Sequence, residues 1–341
     1  MDFGFDEEQC DYRDAVRDAF DRSVTSSSVR EVWAEGHAYR GAHGATLAQV
    51  DMWGMLVQED FGGSGAGVLD LVLPLEECGR YAVAEPVVET LLLAPLLFQQ
   101  WRPGFPGADA LLAGIAAGEK IVAATIDGAT LVSDGARADA LIVIDRNEVH
   151  CLFAGQYVSH PVAGIDPSRR LARCSYVLDE TTLVTDAPDL VALARATVMA
   201  GTAALAVGVA DKMCVTTRDY LLQRVQFGRV IGSFQALKHR LANVAVAIEA
   251  ARSLAWNALY RVSIADPEAE LAAEAAKSAS SEALAIAGAA SLQLHGGIGF
   301  TWEHDLHFWL QRGKALELAF GAAGDHRRAI GSRLLDESSA A

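Results

Sequence analysis

Two short segments in the C-terminal half gather charged, aromatic, amide and glycine residues of types that can do binding chemistry. The first reads Gln223-Arg224-Val225-Gln226-Phe227-Gly228-Arg229-Val230-Ile231-Gly232-Ser233-Phe234-Gln235. Arg224 brings a planar, permanently charged fork suited to phosphate oxygens. Phe227 offers an aromatic face, and Gln235, eleven residues beyond Arg224, offers an amide donor. The second segment is Gln293-Leu294-His295-Gly296-Gly297-Ile298-Gly299. Gly296 and Gly297 let the backbone approach a ligand closely. Taken singly, each feature has a plainer reading. An arginine near a helix end before Phe-Gly is ordinarily a C-cap and a turn, and Gly-Gly after an alanine-rich helix is ordinarily a stop signal. For proton transfer, Glu317 and Asp325 lie close to a helix end. Both read as solvated charges, without the burial that raises a carboxyl pKa.

Composition narrows the classes. The chain has 341 residues, 51% hydrophobic and 21% charged, enough for a large core and against disorder. Its net charge of −16 argues against nucleic acid as a partner, and an anionic ligand would need a local basic pocket. Five scattered cysteines, Cys10, Cys78, Cys151, Cys174 and Cys214, form no CxxC pair and suggest neither a disulfide framework nor a metal centre. Acidic residues Asp6, Glu7 and Glu8 stand where a signal peptide needs basic ones. Apolar runs such as 91–98 are too short to span a bilayer. The expectation is a reduced, cytoplasmic protein, not bound to membranes.

The elements that must position the two segments fall into three blocks. Residues 1–115 read as an N-terminal helical domain, with Tyr12, Val16, Ala19 and Phe20 at helical spacing, a glycine loop at Phe61–Gly65, and an amphipathic stretch from Leu69 to Tyr81. Residues 116–187 read as a small β domain, with strand signals at 121–124, 140–144, 149–153 and Tyr176-Val177-Leu178. Residues 188–341 return to long helices joined by short connections, as in a four-helix bundle. The first runs from Pro188 to Arg224, about 55 Å at 1.5 Å per residue. The second is capped at Ser233 and carries Phe234, Leu237, Leu241, Val244, Ile248 and Ala251 on one stripe. The third spans Glu268 to Leu294, and the fourth starts near His304.

This order of domains, mostly α, resembles the acyl-CoA dehydrogenase family. Met1-Asp2-Phe3 with Glu7-Glu8-Gln9 is similar to the family's N-terminal helix, and Gln58–Gly65 to its glycine loop. The Arg224 segment is similar to the signature RxxFGxxIxxxQ, and the Gln293 segment to QxxGGxG. The resemblance covers nearly the whole chain. It implies α,β-dehydrogenation of an acyl-CoA thioester with FAD as electron sink and an electron-transfer flavoprotein as acceptor. It also implies that Arg224, Phe227, Gln235, Gln293, Gly296 and Gly297 contact the cofactor.

Two departures qualify the resemblance. The family's base is a glutamate in a turn after the last long helix, or in some members a residue on the first bundle helix. Those positions here are Phe320 and Val198, neither of which can take a proton. The flavin-covering loops of the middle domain are also shortened: Ala123–Ala129 runs almost directly into Leu131–Gly135, with Thr125 and Ser133 as remnants. In the family the flavin lies across a subunit interface, and this chain keeps the set of motifs that completes a neighbour's site. The resemblance therefore implies an α2β2 complex with a larger, glutamate-bearing homologue, as in actinobacterial enzymes acting on steroid side-chain thioesters. A self-sufficient enzyme using Glu317 or Asp325, and a flavin-free scaffold, are the alternatives.

Overall fold

The computed structural model describes residues 4–36 and 42–339; Met1, Asp2 and Phe3 of the N-terminal resemblance lie outside the described residues. Helix α1 (Glu7–Ser23) starts at a capping box, Asp6 accepting from the Gln9 N–H while Gln9 reaches back to the Asp6 N–H. It buries Val16, Ala19 and Phe20. Helices α2 (Ser26–Glu35), α3 (Ala42–Gln49) and α4 (Val68–Arg80) follow, then two π-helical stretches, Val88–Leu93 and Leu96–Trp101, and α5 (Ala108–Ala116).

The middle region holds two small sheets. One has the order β1 (Val122–Ile126), β3 (Ala140–Ile144), β4 (Val149–Phe153), β7 (Leu183–Thr185). The other has the order β2 (Leu131–Val132), β6 (Ala172–Tyr176), β5 (Tyr157–Pro161). The strand expected at Tyr176-Val177-Leu178 is displaced. Strand β6 ends at Tyr176, and Val177 is 78% exposed, because the alternation that buries Ala172 and Cys174 puts the apolar set upstream.

Five helices complete the chain: α6 (Pro188–Gln223), α7 (Gln235–Ser263), α8 (Ala269–His295), α9 (Leu306–Leu318) and α10 (Ala323–Ser339). Helices α6 to α9 pack on one another, and α10 rests on α8. Ser233 does not cap α7. It ends a short 3-10 turn, Ile231–Ser233, and Phe234 takes the cap position without a side-chain bond. The middle of helix α6, residues 196–210, is all core, and α4 crosses it backbone to backbone. A Cβ on Gly79 would lie 2.0 Å from the Leu205 carbonyl oxygen, and one on Gly208 would lie 1.9 Å from that of Glu76. Helix α6 and the stretch Ala269–Phe300 are long and apolar enough to cross a membrane, but 83% of the α6 window is buried inside the protein.

Buried ion pairs tie the three regions together. Arg312 on α9 donates to Asp166 at 2.5 Å, to the Val83 carbonyl and to Ser168. Arg170 donates to Asp134 and to the Ala84 carbonyl, while Arg137 bridges Asp134 and Glu85.

Candidate flavin-contact face and the cavity behind it

Helix α6 ends at Arg224, whose N–H bonds the Tyr220 carbonyl and whose carbonyl accepts from Ile231. The chain then makes a hairpin of β8 (Val225–Gln226) and β9 (Arg229–Val230). The two turn residues, Phe227 and Gly228, have φ of 54° and 75°, as a two-residue primed turn requires. Phe227 is thus a non-glycine residue in the left-handed region, and its ring is 89% exposed. Beneath it, the Arg229 guanidinium lies 3.9 Å over the Phe234 ring, and Phe227 meets Phe234 edge-on at 6.1 Å.

The second segment ends at the same end of the bundle. Tyr220 of α6 stacks on His295 of α8 at 4.5 Å, so the hairpin and the Gly296–Gly297 turn are neighbours. Gly296 has φ 64°, and a Cβ on either glycine would meet nothing within 4 Å. Gln235 is the first residue of α7, at this end too. Arg224, Phe227, Gln235, Gln293, Gly296 and Gly297 are all exposed.

This face supplies the local basic field that the acidic chain otherwise lacks. No acid occurs between Asp219 and Glu249, while Arg224, Arg229, Lys238 and Arg240 do. Among the described residues none of these four is in an ion pair. The Arg224 guanidinium, exposed at the same end as the open glycine backbone, fits the demands of a dinucleotide pyrophosphate.

The other half of a flavin site would lie against β1. There a cavity of about 160 Å³ is walled by Thr125, Leu131, Ser133, Arg169, Phe320 and Gly321. Thr125 donates to the Ala129 carbonyl, closing a tight turn through Asp127 and Gly128, both with positive φ. Phe320 has φ 54° and is half-buried, and Val198 is fully buried in the core. The volume is below the roughly 300–1,000 Å³ typical of ligand pockets.

Neither alternative acid faces this cavity. Glu317 pairs with Lys314 at 2.6 Å and lines a separate groove. Asp325 is exposed. Its hydrogen bonds from the Ala322 N–H and Arg328 hold its carboxyl below the usual carboxylate range.

Sequence comparison bears on the whole chain. Residues 6–99 match the model of the acyl-CoA dehydrogenase N-terminal domain, and residues 192–335 that of its C-terminal domain. The acyl-CoA dehydrogenase IpdE2 of Mycobacterium tuberculosis is 34% identical over 307 residues, 90% of this chain and 91% of that one. The chain belongs to the acyl-CoA dehydrogenase family. Redox chemistry with FAD is therefore its class. Two solved structures share the fold. The ChsE4-ChsE5 complex from Mycobacterium tuberculosis matches with a TM-score of 0.86 at 23% identity, covering 98% of this chain and 99% of that one. A Tcur3481-Tcur3483 steroid acyl-CoA dehydrogenase variant matches at 0.83, also at 23% identity, with 98% and 99% covered.

Three polar residues of this acyl-CoA dehydrogenase went unnoticed in the sequence. Glu89 is the lone acid in the apolar run 87–98, and Arg169 follows the Asp166 turn. Lys277 sits in the alanine-rich α8, fully buried, and donates to Ser281 and to the Glu317 and Gly321 carbonyls at 3.0–3.1 Å. It thereby holds the turn that carries Phe320. An isolated charge inside an apolar pattern was the available signal.

Proposed function

We propose that this chain is the subunit of a heteromeric FAD-dependent acyl-CoA dehydrogenase that completes a partner's flavin site and does not run the oxidation in its own. The flavin accepts the hydride from the β-carbon of an acyl-CoA thioester. Arg224 holds the pyrophosphate, Gln235 and Gln293 donate amide hydrogen bonds, and the Gly296–Gly297 backbone packs against the cofactor. The partner, a larger glutamate-bearing homologue in an α2β2 assembly, supplies the ring-covering loops and the base. An electron-transfer flavoprotein takes the electrons.

One observation carries this reading. The residues suited to hold the cofactor are exposed on one open face, while the cavity on the chain's own side is about 160 Å³ with Phe320 on its wall and Val198 buried in the core behind it. A fold shared with a steroid acyl-CoA dehydrogenase variant favours a steroid-derived acyl group. The chain produced alone should carry little FAD. A yellow homo-oligomer with one flavin per chain would overturn the proposal in favour of a self-sufficient enzyme.

A further inference from the structure

His295, the last residue of α8, is 3% exposed, and among the described residues its Nε2 has no hydrogen-bond partner. A buried imidazole nitrogen without a partner costs stability, where a leucine filling the same space would not. The other ring nitrogen is committed. Nδ1–H donates to the Ser291 carbonyl at 2.8 Å, one helical turn back, which fixes the tautomer and the orientation of the ring.

Two rings lie against it. Tyr220 stacks on His295 with centroids 4.5 Å apart and planes 21° from parallel, and His304 meets it at 4.7 Å and 65°. Each contact leads to a segment of the flavin-contact face. Tyr220 lies in the last turn of α6, and its carbonyl accepts the Arg224 N–H. His304 lies just past the 3-10 turn Gly296–Phe300; its Nδ1 accepts the Leu306 N–H, and its carbonyl accepts from His307 Nδ1. The glycine turn is therefore pinned at both ends by rings in contact. It also folds back on His295, since a Cβ on Gly299 would lie 3.0 Å from the His295 Cβ. Burial lowers the pKa of both His295 and His304 from the ordinary value, so the stack is neutral at pH 7.

We infer that His295 is a positioning residue for the cofactor: its ring clasps the end of α6 to the end of α8 and so holds Arg224 and the Gly296–Gly297 backbone in one fixed relation. Neither segment is ordered by burial of its own, because Arg224, Phe227, Gly296 and Gly297 are all exposed. Both must meet a single cofactor, and a relation set in advance removes the cost of ordering them on binding. The inference rests on the flavin-face reading and adds what keeps the two halves of that face in register.

The full chain alone tests the clasp, by hydrogen exchange and mass spectrometry. His295→Leu keeps the apolar volume and removes the stack. It should speed exchange in residues 221–232, across the stack from the substitution. Tyr220→Leu should reciprocally speed exchange in residues 293–300. The chain co-expressed with its glutamate-bearing homologue, stripped of flavin and titrated with FAD, tests the purpose. His295→Leu should weaken FAD binding about two- to tenfold, as expected for loss of an aromatic pair, and His295→Phe, which restores a ring, should recover most of it. A residue that only fills the core would instead change binding in step with melting temperature and show no rescue by the ring. Unchanged exchange across the stack, or FAD binding equal to wild type in His295→Leu, overturns the inference. Arg224→Ala separates the two failures. If it weakens FAD binding and His295→Leu does not, the clasp alone is wrong. If neither weakens it, the flavin-face reading fails and the clasp for the cofactor fails with it.

Discussion

Arg224 caps a helix of 36 residues, exposed and without a counter-charge among the described residues. In the proposed complex, hydrogen bonds from Arg224 to a charged group would be worth about 1.5–3 kcal/mol each. Arg224→Ala should therefore lower flavin retention more than Gln293→Ala, as read by absorbance after gel filtration; full occupancy in both variants would contradict the assignment. The acids near Phe320 behave differently. Glu317 is tied to Lys314 and Asp325 to the Ala322 N–H and Arg328, so Glu317→Gln and Asp325→Asn should each leave turnover of the complex nearly intact. Losing a true base costs about two to four powers of ten. A drop of that size with flavin content unchanged would make one of them the base.

At the scale of elements, the turn bearing Phe320 is held by Lys277, whose burial lowers its pKa to about 7. The unfolded chain then binds more protons than the folded one between about pH 7 and 10.4, the ordinary lysine value. Through this group stability rises with pH across that window, by at most about 1.4 kcal/mol per pH unit. Below pH 7 the full cost of burying the charge applies. The melting temperature of the wild type relative to Lys277→Met should therefore climb from pH 7 to 9.5, and a pH-independent difference would sink this account. Legibility in the sequence follows the same scale. The long helices could be read because Pro188, Pro267 and Gly296 punctuate apolar patterns of 27 residues or more. Strands β3 and β4 were legible as compact apolar runs, but β5, with its exposed Val158 and Pro161, carries no such run. Ser233 misled because tertiary packing drew the chain into a 3-10 turn before α7 began. The residues proposed to contact the flavin stand out in the sequence as motifs, whereas Glu89 and Arg169 meet only through folding, 80 residues apart.

For the whole molecule, a chain of net charge −16 presents one basic, aromatic end, and α8 leaves Ala285, Ile286 and Ala289 uncovered along the approach to Gln293. A groove of about 540 Å³ lies beside that stripe, between α8 and α9, floored by Met213 and Leu284. Small residues let a second pair of helices approach closely, and burying this surface is favourable at about 25 cal/mol per Å². A homologous partner should join through residues 200–300 with well over 2,000 Å² buried, as obligate interfaces do. Co-expression with a larger, glutamate-bearing homologue from the same genome, followed by size-exclusion chromatography with light scattering and a flavin spectrum, tests the central claim most directly. The account predicts an α2β2 particle with one FAD per pair of chains. A monomer that recruits no homologue, or a tetramer of this chain alone filled with flavin, would contradict it.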